Sequence, residues 1–171
     1  MSIKQFNGEW VAQEDRVLFR FNTHSGEGYA FWFTRVIVQG LIQGSQHLGF
    51  HRLAQSHPPE VAQAMHAFET QAVKEQANFT QTYEGAQQSP MGETPLLVVG
   101  LKMTQEPTQT TVELQLVDGR NIALHLPQSM LLIMVTLLDK LQESAKWGVG
   151  LAQLNPNLQE VPAANPLSQL H

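Results

Sequence analysis

Residues 130–141 read MLLIMVTLLDKL. Leu131, Leu132, Ile133, Met134 and Val135 are followed by Leu137, Leu138 and Leu141, so apolar side chains cover most of the circumference of a helix. A helix that is apolar nearly all round has to be buried, and a run of about a dozen residues is too short to cross a bilayer. The stretch therefore predicts a core helix over 130–143, and the rest of the chain has to supply its cover.

Upstream of that helix the period changes from helical to alternating. TVELQLV at 111–117 and NIALHL at 121–126 read as a hairpin. A three-residue loop from Asp118 to Arg120 pairs Leu116 with Ile122, Leu114 with Leu124 and Val112 with Leu126. Leu97, Val99, Leu101 and Met103 alternate along a preceding strand. The first part of the chain repeats the pattern. RVLFRFN at 16–22, the loop THSGEG and GYAFWFT at 28–34 form a hairpin in which Phe21 faces Tyr29, Phe19 faces Phe31 and Val17 faces Phe33.

After that hairpin RVIVQGLIQGSQHL, 35–48, reads as a helix with Thr34 as its cap, continuation of the strand through Val36, Ile37 and Val38 being the alternative. Gly40 and Gly44 each weaken it by about 1 kcal/mol relative to alanine, a cost that close approach of another backbone would offset. A second helix is expected over 57–83, opened by Ser56 or His57, by prolines in the first turn and by Glu60. Its apolar stripe is Val61, Met65, Phe68, Ala72 and Phe79. GAQQSPMGETP at 85–95 reads as a flexible link. The expectation is one α+β domain over 1–150: an antiparallel sheet from two pseudo-repeated hairpin-plus-helix halves, about 8–54 and 95–147, with an additional connecting helix. Residues 151–171 read as an extended or partly disordered tail.

At 171 residues the chain is long enough to bury a core without a staple, and it contains no cysteine, which removes disulfides and thiolate chemistry. No apolar leader opens MSIKQFNGEW, so the default location is cytoplasmic. A formal charge of −5 opposes general attraction to phosphates or anionic lipid. Charged residues make up 15%, and so sparsely charged a surface repels its own copies weakly, which favours a homodimer.

Motifs for catalysis are missing: there is no GxSxG, GxxxxGK, GxGxxG or HExxH. His47 and His51 stand four apart with His57 beyond, the spacing of a two-imidazole site, and read as surface histidines. His24 and His125 read as solvated, and the acidic group Glu9, Glu14 and Asp15 as a solvated turn. No metal, cofactor or enzymatic activity is expected. The suggestive constellation is the outer side of the first hairpin, where Leu18 lies opposite Trp32, Arg20 is diagonal to Trp32 within cation–π reach, and Arg35 stands at the strand end.

Two functions fit that constellation. The first is a non-catalytic homo-oligomeric binding or adaptor protein that covers Leu18, Arg20, Trp32 and Arg35, or uses the groove beside Gly40 and Gly44, as its interface with a second copy or an unidentified protein. The alternative is single-stranded nucleic-acid binding through the Arg/Trp face. The doubled strands-then-helix order is similar in outline to the Whirly group of single-strand binders, a resemblance of architecture that implies bases stacked on such a face.

Overall fold

The computed structural model describes residues 2–79 and 82–148; the expected tail at 151–171 lies outside them. The order is β1 (Ile3–Val11), β2 (Arg16–Thr23), β3 (Gly28–Thr34), α1 (Arg35–Ala54), α2 (Pro59–Gln76), β4 (Leu96–Gln105), β5 (Gln109–Leu116), β6 (Asn121–Pro127) and α3 (Gln128–Ser144). The α+β class is as expected. All six strands join one sheet in sequence order, antiparallel throughout except where β3 meets β4 in parallel over Phe31–Leu96 and Trp32–Leu97. β4 is the strand expected through Leu97 to Met103, whereas β1 precedes the first hairpin as a strand that was not expected.

The helix at 128–144 is the centre of the fold. Leu131, Leu132, Met134, Val135, Thr136, Leu137 and Leu138 are all buried. It touches β1 at one edge of the sheet and β5 and β6 at the other. Six strands side by side span roughly 24 Å and a helix of 17 residues is about 25 Å long, so α3 is long enough to reach both edges. At β1 the approach is closest beside Gly8, where an added Cβ would stand 2.6 Å from Leu141 Cδ1. Phe6, Val17, Phe19, Phe21, Phe31 and Phe33 from the first half and Val98, Val112, Leu114, Leu124 and Leu126 from the second close on α3 as one continuous cluster.

The first hairpin has the expected register residue for residue, Phe19 on Phe31 and Val17 on Phe33. Here the bulky rings stack across strands, Phe19 on Phe33 at 4.7 Å and Phe21 on Tyr29 at 4.7 Å. The second hairpin is slipped by two residues from the expected pairing: Leu114 lies opposite Ile122 and Val112 opposite Leu124. Its three-residue loop is Val117–Gly119, closed by Leu116 N–H on the Arg120 carbonyl, because Gly119 takes the left-handed conformation, φ 86°, that ends such a turn. A slip of two preserves the faces, so the same leucines are buried.

Three elements differ in extent. Residues 3–11, expected as a lead-in, form strand β1. The segment at 35 is helical as expected but continues to Ala54, and Thr34 occupies its cap position without a side-chain cap bond. The second helix ends at Gln76 and not at Tyr83. Continuing it would keep Phe79 on the same outward stripe as Phe68; breaking at Ala77 lets Phe79 pack against the core, with Lys140 Nζ 4.7 Å from its ring. Beyond it the chain crosses to the strand ends, where Gly28 N–H donates to the Gln88 carbonyl and Gln87 N–H to that of Gly26.

α1 packs on β3 and β4, while α2 packs on α1 and α3. No helix among the described residues is long and apolar enough to cross a membrane.

Candidate binding surfaces

The outer side of the first hairpin holds Leu18 opposite Trp32, as the alternation requires. Leu18 is 8% exposed and Trp32 half-buried. The cation over Trp32 is Arg16, 4.4 Å from the ring centroid, and not Arg20. Both arginines lie diagonal to Trp32, but Arg20 turns towards β1, where its Nη1 donates to Asn7 Oδ1 at 3.1 Å and Glu9 stands 3.9 Å from Nη2. The strand that diverts it is the one the sequence reading missed. Arg16 in turn is ion-paired with Glu14. Tyr83 lies close enough for the Arg20 charge to oppose the upward push that burial gives its hydroxyl pKa.

Arg35 opens α1 at the Arg16 end of the hairpin, where Arg16 pairs with Thr34. It bonds Asp15 Oδ2 at 3.1 Å and lies 5.6 Å from the Trp147 ring. The Trp147 indole N–H, buried to 4% exposure, donates to Asp15 Oδ1 at 2.6 Å, so this cluster pins the end of α3 to the β1–β2 turn. Gly40 and Gly44 are on the other layer and face β4: an added Cβ would lie 2.8 Å from Leu101 Cδ2 and 2.7 Å from Met103 Sδ. Of the six singled-out residues, then, Leu18, Arg20 and Trp32 share a face, Arg35 belongs to the Asp15–Trp147 cluster, and the two glycines line the contact of α1 with the sheet.

The histidines have different surroundings. His47 and His51 stand exposed on α1 with ring centroids 4.4 Å apart, and no cluster of three metal-ligating side chains occurs among the described residues. His125 Nδ1 is 2.8 Å from Thr111 Oγ1, which donates its proton to Glu106 Oε1 at 2.6 Å. The Thr111 and Gln109 donors hold the Glu106 carboxyl below the usual range. A hydroxyl that gives its proton to a carboxylate is not being activated by the imidazole beside it, so the trio reads as a cross-strand brace.

Two surfaces were not singled out from the sequence, and both involve α2. A groove of about 640 Å³ runs between the three helices. Ile42, Leu132 and Val135 supply apolar walls, and Gln63, His66 and Thr70 polar ones. Lys74 Nζ closes one end on Asp139 Oδ2 at 2.7 Å, a bond that raises the lysine pKa. His66 lies against Gly49 of α1, where an added Cβ would come within 2.5 Å of its Cε1. Its Nδ1 is buried without a hydrogen-bond partner among the described residues, and burial lowers its pKa.

The second surface is the opposite side of α2. At 100° per residue, Val61, Met65, Phe68 and Ala72 fall about half a turn from the groove-lining residues. This is the stripe expected to face the core. Phe68 is instead 76% exposed and Val61 45%, while Ala62 is the helix's one fully buried residue. The helix docks through His66 on Gly49, Arg52–Glu69 at 2.7 Å and Lys74–Asp139. Periodicity identifies the stripe but carries no information about which side a helix turns inward when polar partners are available on the other.

Comparison with protein-family models, with curated proteins and with solved structures gives no match.

Proposed function

We propose that this protein is a non-catalytic, homo-oligomeric binding or adaptor protein whose copies meet through the outward side of α2. The observation that carries this reading is the position of Phe68, a large apolar ring held in solvent on a fixed helix, in line with Val61, Met65 and Ala72. Contiguous apolar surface on a folded domain marks contact sites, and aromatic and methionine side chains are enriched in them. On one flank of the stripe Ala64 and Gln71 are uncharged, and on the other Glu69 is paired with Arg52 of its own chain. Contact there leaves the three-helix groove on the other side of α2 open as a binding surface.

The polar groups nearest the groove support binding rather than chemistry. The Lys74 ammonium is tied to Asp139, and the His66 ring is pressed on backbone. Size-exclusion chromatography with light scattering tests the proposal. The unmodified chain is expected at twice its monomer mass and Phe68→Glu at the monomer mass with unchanged circular dichroism; an unmodified chain that runs as a monomer at tens of micromolar removes the reading.

A further inference from the structure

The three-helix groove exists because of the way α2 is turned. Protein interiors are close-packed, and an apolar stripe facing inward would fill the space beside α1 and α3. α2 instead turns Gln63, Ala67 and Thr70 towards that space, and its ion pairs, Arg52–Glu69 and Lys74–Asp139, hold the helix in place without filling it. What remains is an opening of about 640 Å³, walled by Ile42, Leu132 and Val135, each no more than 8% exposed. Openings of that order receive small molecules.

Two hydroxyls in the groove are unspent. Ser45 of α1 and Thr136 of α3 both line it, and both are 2% exposed. A helical hydroxyl can turn back on a carbonyl of its own helix, as Thr70 does onto His66 at 2.9 Å. The side chains of Ser45 and Thr136 have no hydrogen-bond partner among the described residues. Burying a hydroxyl without a partner is unfavourable, so an occupant that supplies one recovers what the fold gives up.

Charge narrows the class of occupant. Lys74 and Asp139 are the ionic side chains that line the groove, and they cancel: Lys74 Nζ bonds Asp139 Oδ2 at 2.7 Å, while Gln142 Nε2 donates to the other oxygen at 3.0 Å. His66, the third titratable group of the lining, is opposed by burial from taking up a proton. An anion therefore meets no free cation there, and a cation no free carboxylate. We infer that the groove binds an uncharged small molecule, mainly hydrocarbon, whose hydroxyl or carbonyl oxygen bonds Ser45 and Thr136. A hydroxyl can donate to one and accept from the other, and a carbonyl can accept from both. The inference rests on the binding role proposed above and names its ligand class, but it does not need the self-contact through α2.

Octanol, octanoate and octylammonium share a chain and differ in head group, and amide shifts of the full-length chain in two-dimensional NMR read the binding of each. Octanol should saturably shift residues on the groove side of all three helices, and should bind about tenfold more tightly than either ion. Ala67→Trp, which sets a large ring in the opening, should abolish those shifts. Thr136→Val keeps the side-chain shape and removes the hydroxyl; it should weaken octanol about tenfold and leave octanoate unchanged, with Ser45→Ala acting in the same direction. The inference is overturned if octanol shifts nothing up to its solubility limit, if the three compounds bind alike, or if the shifts lie on the Phe68 side of α2 and survive Ala67→Trp. It also falls if neither hydroxyl variant weakens octanol, since those hydroxyls are then spent on water. Light scattering on the same samples reads self-association separately: a monomer that binds octanol removes the contact through α2 and keeps this inference, and a dimer that does not bind it does the reverse.

Discussion

At the scale of single residues, the most consequential contact is the one between Trp147 and Asp15. The indole is buried, so its N–H has no recourse to water, and Asp15 Oδ1 at 2.6 Å is its acceptor. Asp15 also has φ 47°, a left-handed conformation that asparagine and aspartate tolerate better than other side chains. Asp15→Ala therefore removes the acceptor and strains the turn together. Leaving a buried donor unpaired costs about 1–3 kcal/mol, while the exposed Arg35 pair adds about 1 kcal/mol or less. Urea unfolding should show a loss of about 2 kcal/mol for Asp15→Ala and a markedly smaller one for Asp15→Asn, which keeps both an oxygen and the backbone preference. Equal losses would mean that the indole bond contributes nothing. None of this was legible in the sequence, where Asp15 and Trp147 are 132 positions apart and Asp15 reads as part of a solvated acidic turn.

At the scale of elements, the predictability of each segment follows from how far away its partners lie. The first hairpin pairs with itself across a short loop, so alternation sets its register. The second slips by two because Gly119 decides where its turn ends and both registers bury the same leucines. β1 was missed because Asn7 and Gly8 interrupt its pattern, yet Gly8 is there to admit Leu141 of α3. The orientation of α2 was invisible for the same reason: His66 needs Gly49, Glu69 needs Arg52, and Lys74 needs Asp139. This polar docking makes α2 sensitive to pH. Burial lowers the His66 pKa from its ordinary 6.5, the nearby Glu69 opposing in part. The unfolded or undocked form thus takes up a proton that the docked form resists, so docking is fully favourable above about 6.5 and weakens as pH falls below it. Hydrogen exchange along α2 should accelerate between pH 7 and pH 5.5, after correction for intrinsic rates, more than along α3. His66→Gln should abolish the difference; an identical profile in that variant would place the sensitivity elsewhere.

At the scale of the whole molecule, α3 ties both sheet edges together, and the distribution of charge decides what the remaining surface can meet. The Arg/Trp face invites comparison with proteins that stack single-stranded bases, and that use needs arginines free to meet phosphate. Eight of the ten Lys and Arg side chains form ion pairs with carboxylates, including all three on or beside the first hairpin: Arg16 with Glu14, Arg20 with Glu9 and Arg35 with Asp15. An incoming phosphate would have to displace a carboxylate in each case, leaving that carboxylate beside the strand's negative charge, in a chain whose net charge is already −5. Since backbone binding draws its free energy from counterions released by such contacts, exchanging one anion for another on the same arginine gains little. A fluorescein-labelled single-stranded oligonucleotide should therefore show unchanged anisotropy with micromolar protein at low ionic strength, where binding is most favoured. A rise in anisotropy that disappears with added salt and with Trp32→Ala would reverse this conclusion, and would make the outer sheet face, rather than α2, the working surface of the protein.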